Sequence, residues 1–313
     1  MDRTKALAGL IVAIRRLPPL HLLLLGSCLL GSCLLGNCRR QPAALVVGSK
    51  NFTESALLGE LLAQHIERRL GLKVERKLNL GGTLLAHQAL TSGAIDLYPE
   101  YTGTALTAVL KRPPVNDPPA VLSQVREAYQ ARWRLDWLRP LGFNNTFAMI
   151  VRGETARREK LATLSEAAGA QAWKLGVGYE FTQRPDGLPG LLKTYNLRTA
   201  GGPISMDLGL LYAALKTRRV DLIAASSTDG LIAVLDVAVL EDDRHYFPPY
   251  ECAVIVRQDT QTKYPGLRVA LEQLSGMLTD RVMRQLNFSV DGEHRPPAQV
   301  ASRFLDSAFA ARR

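Results

Sequence analysis

The sequence predicts an α/β protein made of two similar domains, joined by a hinge of two chain crossovers. Two observations predict it. A β-α-β-α-β alternation begins at Leu45, and a related pattern returns roughly 125–130 residues later. A chain of 313 residues is long enough for two compact domains with sizeable cores. Its 47% hydrophobic and 22% charged content excludes disorder on a large scale.

The elements follow in order. Leu45-Val46-Val47 is a short apolar run of the buried-strand type. Thr53 is placed to cap a helix from about Glu54 to Leu70, because Leu57, Leu58, Leu61, Leu62 and Ile66 share one face. Gly71 ends that helix. Lys73–Leu78 reads as a strand, Gly81-Gly82 as a turn, and a helix then runs to about Ser92. Ile95–Tyr98 reads as the next strand. Such alternation makes a mostly parallel sheet with helices on its faces. In the second copy, Val177-Gly178 with Phe181-Thr182 echoes Val47-Gly48 with Phe52-Thr53. Leu210-Leu211, Ala214-Leu215 and Val220-Asp221-Leu222 echo Leu84-Leu85, Ala89-Leu90 and Ile95-Asp96-Leu97. Two copies are too few for a solenoid, so they read as two domains. A strand at Ala253–Val256 returns the chain to the first domain. The crossovers fall near Phe143–Asn145 and His245–Pro249, giving domains of residues 43–144 plus 248–313 and 145–247.

Residues 1–38 read as an address. Arg15-Arg16 precede an apolar stretch, Leu17–Leu35, whose core is short of the about 20 residues that span a bilayer. A charged start followed by an apolar core fits a secretion signal. The stretch holds Leu-Leu-Gly-Ser-Cys twice and Leu-Leu-Gly-Asn-Cys once, each similar to a bacterial lipobox. Small residues let a peptidase reach the backbone, and the thiol accepts the lipid, so Cys28, Cys33 and Cys38 are lipidation candidates. An uncleaved anchor helix is the alternative. Either reading puts the folded part outside the cytoplasm, in the periplasm or at the cell surface, held to the membrane at its N-terminus.

Other classes are disfavoured by composition. The net charge of +10 is scattered in short pairs such as Arg68-Arg69 and Arg218-Arg219, with no recognition-helix or zinc-finger pattern, so nucleic acid is not an expected partner. Cys252 is the lone cysteine beyond the leader, which rules out a disulfide framework and suits a small buried apolar residue. His21, His65, His87, His245 and His294 show no metal spacing, and no cofactor is implied. There is no Gly-x-Ser-x-Gly elbow and no carboxylate pair at helical spacing, so an enzyme is not expected.

Ligands of α/β proteins bind at the C-terminal ends of strands. The loops expected there are Gly48–Asn51, Tyr98–Thr104, Phe181–Arg184 and Ala225–Asp229, with Phe247–Glu251 before the returning strand. These segments carry a family resemblance. Gly48-Ser49-Lys50-Asn51-Phe52-Thr53-Glu54 comes first, then Leu80-Gly81-Gly82-Thr83 and Asp96-Leu97-Tyr98-Pro99-Glu100-Tyr101-Thr102-Gly103-Thr104. Arg184-Pro185-Asp186-Gly187-Leu188-Pro189 follows, and last Leu240-Glu241-Asp242-Asp243 with Pro248-Pro249-Tyr250. Over about residues 45–305 the chain resembles the substrate-binding proteins of osmoprotectant ABC importers, which take up glycine betaine, proline betaine, choline or carnitine.

The resemblance implies a type II periplasmic-binding-protein fold that closes on its ligand, and a monomer serving permease and ATPase subunits. It also implies an aromatic cage around a quaternary ammonium, with cationic and hydroxyl donors on a carboxylate. The chemistry is apt: such an ammonium has no N–H to donate, so aromatic faces hold it, at about 0.5–2 kcal/mol each. A carboxylate suits a forked Arg and a Lys. Carried over by motif, Tyr101 and Tyr250 are cage residues, and Lys50, Thr104 and Arg184 are carboxylate binders. Asn145 is expected to bond the ligand or staple the hinge. Phe147 stands where a cage Tyr is expected and keeps the ring face. Ser226 stands where another Tyr is expected, so one wall of the cage is missing. Ser55 falls where choline and carnitine binders often have Gln. These departures imply weaker betaine binding, or a different solute such as an ergothioneine-like betaine or a cationic amino acid. Glu100 is expected to balance Lys50, Tyr98 to pack in the core, and Asp96 and Asp221 to be structural. A sensory module on the same fold is the remaining alternative.

Overall fold

The computed structural model describes residues 44–310. The proposed signal segment 1–38, with Cys28, Cys33 and Cys38, lies outside the described residues. Among the described residues, ten strands form two five-stranded sheets. They are β1 (Leu45–Gly48), β2 (Val74–Lys77), β3 (Leu97–Tyr101), β4 (Leu135–Trp137), β5 (Phe147–Arg152), β6 (Leu175–Gly178), β7 (Ile204–Met206), β8 (Leu222–Ser226), β9 (Val237–Leu240) and β10 (Cys252–Arg257). The first sheet has the order β2-β1-β3-β10-β4 and the second β7-β6-β8-β5-β9. In the first, β1 is parallel to β2 and β3, while β10 is antiparallel to β3 and β4. In the second, β6 is parallel to β7 and β8, while β5 is antiparallel to β8 and β9. The internal repeat in the sequence is thus a repeat of sheet order and strand sense.

The chain leaves the first sheet after β4, enters the second at β5, and returns between β9 and β10. The two passages hold each other. Asn144 bridges Glu251, the Asn145 amide donates to the Tyr250 carbonyl at 3.1 Å, and the Tyr250 amide donates to Asn144 Oδ1 at 2.6 Å.

Of the helices among the described residues, the six longest support the sheets and their loops: α1 (Thr53–Leu70), α2 (Thr83–Thr91), α3 (Pro118–Trp133), α4 (Leu188–Tyr195), α5 (Asp280–Asp291) and α6 (Pro297–Ala310). The apolar stripe of α1, from Leu57 to Ile66, is fully buried on one face of the first sheet. Burying side chains of this size stabilises by about 1.5–3 kcal/mol each. Along β10, Cys252, Val254 and Val256 join that core, whereas Ala253 and Ile255 point to the opposite face with α2 and α3. This period of two is what a strand covered on both faces requires. Cys252 is a free, fully buried thiol.

Three local readings change. Phe52, in extended conformation, is the N-cap of α1; Thr53 is already helical, and its hydroxyl donates to Asp291 Oδ1 of α5 at 2.6 Å. A tertiary carboxyl oxygen takes the hydroxyl in place of local capping. Gly71 does close the helix, at φ 65°. Strand β3 begins later than expected and continues through Tyr101, so Tyr98–Tyr101 is strand and not loop. Its Pro99 is tolerated because β1 and β3 pair only at Val47–Leu97, and no ladder bond is lost beyond that point. The short helix Thr102–Thr104 and a π-helical turn, Ala105–Val109, follow directly.

Candidate ligand-binding site

The segments that follow the strand ends of both sheets line one cleft. A cavity of about 200 Å³ lies there. Lys50, Tyr101, Thr104, Asn145, Phe147, Arg184, Ser226 and Tyr250 all line it.

Each is held by its own element. Lys50 follows β1, and its amide donates to Ser55 Oγ at 2.9 Å. Ser55 is fully buried and fastens this turn from α1. The Lys50 ammonium donates to Glu100 Oε1 at 2.6 Å, and Glu100 is fully buried. The same ammonium sits 4.7 Å from the Tyr101 ring centroid and 5.5 Å from that of Phe52. Glu100 is held in turn by the Tyr101 amide at 2.8 Å and the Tyr98 hydroxyl at 3.2 Å.

Arg184 comes from the other side of the cleft. Its Nε and Nη2 donate to Asp186 at 2.9 and 2.5 Å, and Nη2 also reaches Thr104 Oγ1 at 3.3 Å. Burial works against the Arg184 charge, but the Asp186 carboxylate more than offsets it and raises the guanidinium pKa. The fork lies 5.3 Å from the Phe147 centroid and 5.9 Å from that of Tyr250. Tyr250 donates its hydroxyl to Asp186 at 2.5 Å. Burial first, then the Asp186 charge, push the Tyr250 phenol up, so it stays a neutral donor. Phe147 packs edge-on against Phe181 at 4.7 Å and Tyr250 at 5.6 Å. Ser226 ends β8 directly opposite Phe147 in the antiparallel register.

Several residues that hold the site together were not singled out in the sequence reading. Glu54, 3% exposed, accepts four hydrogen bonds. Tyr101 Oη (2.6 Å) and Asn145 Nδ2 (2.8 Å) donate to Oε1; Thr228 Oγ1 (2.6 Å) and Asn287 Nδ2 (2.8 Å) donate to Oε2. Asn145 is therefore a staple between the crossover and α1, with its Oδ1 unpaired among the described residues. Burial and the Glu54 charge raise the Tyr101 phenol. Glu180, after β6, reaches across the cleft to the start of α2, where the Thr83 amide donates to it at 2.6 Å and the Thr83 hydroxyl at 2.9 Å. A Cβ at Gly82 would collide with that carboxylate, so glycine permits the approach. Asp96 and Asp221 do structural work, binding Thr260 and Arg152 respectively.

A cleft between two repeated sheets, walled by aromatic rings and two charge-paired cations, invites comparison with known proteins. Residues 43–307 match the family described as the substrate binding domain of ABC-type glycine betaine transport systems. The chain belongs to that family. It is 33% identical over 262 residues to the carnitine transport binding protein of Listeria monocytogenes, covering 83% of this chain and 85% of the relative. It is 33% identical over 264 residues to an ergothioneine transport permease/ergothioneine binding protein of Helicobacter pylori, covering 84% of this chain but 47% of that relative. Among solved structures, one titled as a glycine betaine/carnitine/choline ABC transporter superposes with a TM-score of 0.71 at 31% identity, covering 85% of this chain and 99% of that one. The fold is that of a periplasmic binding protein, and the family serves solute transport.

Proposed function

We propose that this chain is the extracytoplasmic solute-binding component of an ABC importer. It holds a small quaternary-ammonium solute of the glycine betaine, carnitine or choline type in the cleft. The observation that supports this most is the meeting of Phe147, Tyr250, Phe181 and Tyr101 with the charge-paired Lys50 and Arg184 around one cavity. Aromatic rings provide faces and edges for the methylated cation. The remaining N–H groups of Lys50 and Arg184, with the Thr104 hydroxyl, are donors for a carboxylate or hydroxyl.

In this reading, residues 43–144 plus 248–313 and residues 145–247 are the two domains, and they close about the paired crossovers. The protein acts as a monomer, hydrolyses nothing itself, and delivers its solute to permease and ATPase subunits. A lipid on Cys28, Cys33 or Cys38 holds it at the membrane. Ser226 favours a second ligand reading. The cage lacks a ring there, and one relative of equal identity is named for ergothioneine.

The test is calorimetric titration of the wild type and of Phe147→Ala with glycine betaine, carnitine and choline. Loss of one ring contact should weaken binding by about tenfold. Unchanged affinity in the variant would overturn the placement of the ammonium beside Phe147.

A further inference from the structure

Two carboxylates tie the halves of the molecule together, and their settings differ. Glu54, in the first turn of α1 beside the first sheet, reaches Thr228, which follows β8 of the second. Glu180, which follows β6 of the second sheet, reaches Thr83 at the start of α2 beside the first. Glu54 is buried and takes four donors, so parting it from them would strand polar groups away from water. The Glu180 side is exposed, and among the described residues both donors to its carboxylate come from Thr83. An exposed carboxylate exchanges such donors for water at little cost. Glu54 is therefore a fixed pin, and Glu180 a tie that can open.

The start of α2 suits this partner. Its N-cap, Gly82, has no side chain to cap with, so the Thr83 amide is an orphan donor that Glu180 satisfies from the other half. The carboxylate also meets the positive end of the helix. A Cβ at Gly82 would stand 2.2 Å from Glu180 Oε1, and the three atoms nearest to it would all belong to Glu180. The Gly82 φ of −75° is open to any residue. The glycine thus serves the approach of Glu180 and not the backbone.

We propose that Glu180 is a positioning residue for solute binding, a latch that holds the cleft closed through Gly82 and Thr83 and does not act by touching the solute. This rests on the binding role proposed above and adds the residue pair that sets its strength. A latch raises the closed fraction, so it multiplies the apparent affinity for every solute by one factor. Glu180 also lines the cavity, which makes direct contact the rival account. A carboxylate in contact with the solute would favour a cation such as choline over a zwitterion such as glycine betaine.

The experiment is a double-mutant cycle, read by calorimetric titration of the full chain with choline and with glycine betaine. Glu180→Ala and Gly82→Ala should each weaken both solutes by about fivefold, the worth of a cap-like contact. The double variant should bind no more weakly than Glu180→Ala, because the Cβ at position 82 then has no carboxylate to strike. The cycle decides with either solute alone. Losses that add in the double variant, a larger loss for choline than for glycine betaine, or full affinity in Glu180→Ala would each overturn the latch and leave the binding role standing. A folded wild type that binds neither solute would sink the binding role, and the latch with it.

Discussion

Glu54 shows how much of the site depends on one buried carboxylate. Its four partners come from β3, a crossover, the segment after β8 and α5. Each carboxylate oxygen faces an Asn Nδ2, which can only donate. Glu54→Gln replaces one acceptor oxygen with an N–H₂ donor, so the Tyr101 or the Thr228 hydroxyl loses its acceptor even where the Asn145 amide turns over. The expected loss is roughly 1–3 kcal/mol of unfolding free energy in urea, the cost of stranding a buried donor. A variant as stable as the wild type would contradict the described network. Asp229 supports a pH prediction. Burial raises its pKa from 3.8 to about 7, and the nearby charges of Glu54 and Asp291 add to this. The folded protein then keeps a proton that the unfolded chain has lost, so this group's stabilisation is full below pH 3.8 and disappears as pH rises through about 7. Asp229→Asn should flatten the decline of thermal midpoint across that window; an unchanged slope would contradict it. The lining residues themselves were legible because strand-end loops and motif order mark them. Glu54 was not, since an acid in the first turn of a helix ordinarily reads as a complement to the helix dipole.

At the scale of elements, periodicity located β1, α1, β2 and α2 within a few residues, because apolar patterns and Gly71 are local signals. The misreadings were tertiary. Thr53 does not cap α1 because Asp291, distant in sequence, takes its hydroxyl. The residues after Tyr98 were placed in a strand-end loop, yet β10 pairs with them through Tyr101. The Glu180 contact with the start of α2 was likewise invisible, since its two halves lie in different repeats. It satisfies an orphan amide of α2 and places a negative charge at the positive end of the helix. Glu180→Ala should weaken solute binding by about fivefold, as the loss of a cap-like contact of about 1 kcal/mol across the cleft. Titration of the variant tests this, and full affinity would show that the contact contributes nothing to closure.

For the whole molecule, the sequence repeat is realised as two sheets of identical order, and the paired crossovers at Asn144–Asn145 and Tyr250–Glu251 tie them together. This was readable because both copies retain the same strand-end motifs. The joining role of α5 was not readable. It contacts α1 and also the segment after β8, where Gly230 lets the Phe288 backbone approach closely. Aromatic faces and paired cations at the centre of this arrangement make methylation of the ammonium the property the site should read. The most direct test is calorimetric titration of the wild type with glycine betaine and with glycine, which differ only in three methyl groups. The account predicts binding of glycine betaine and at least about a hundredfold weaker binding of glycine, the worth of two or more aromatic contacts. Equal binding, or a preference for glycine, would contradict it.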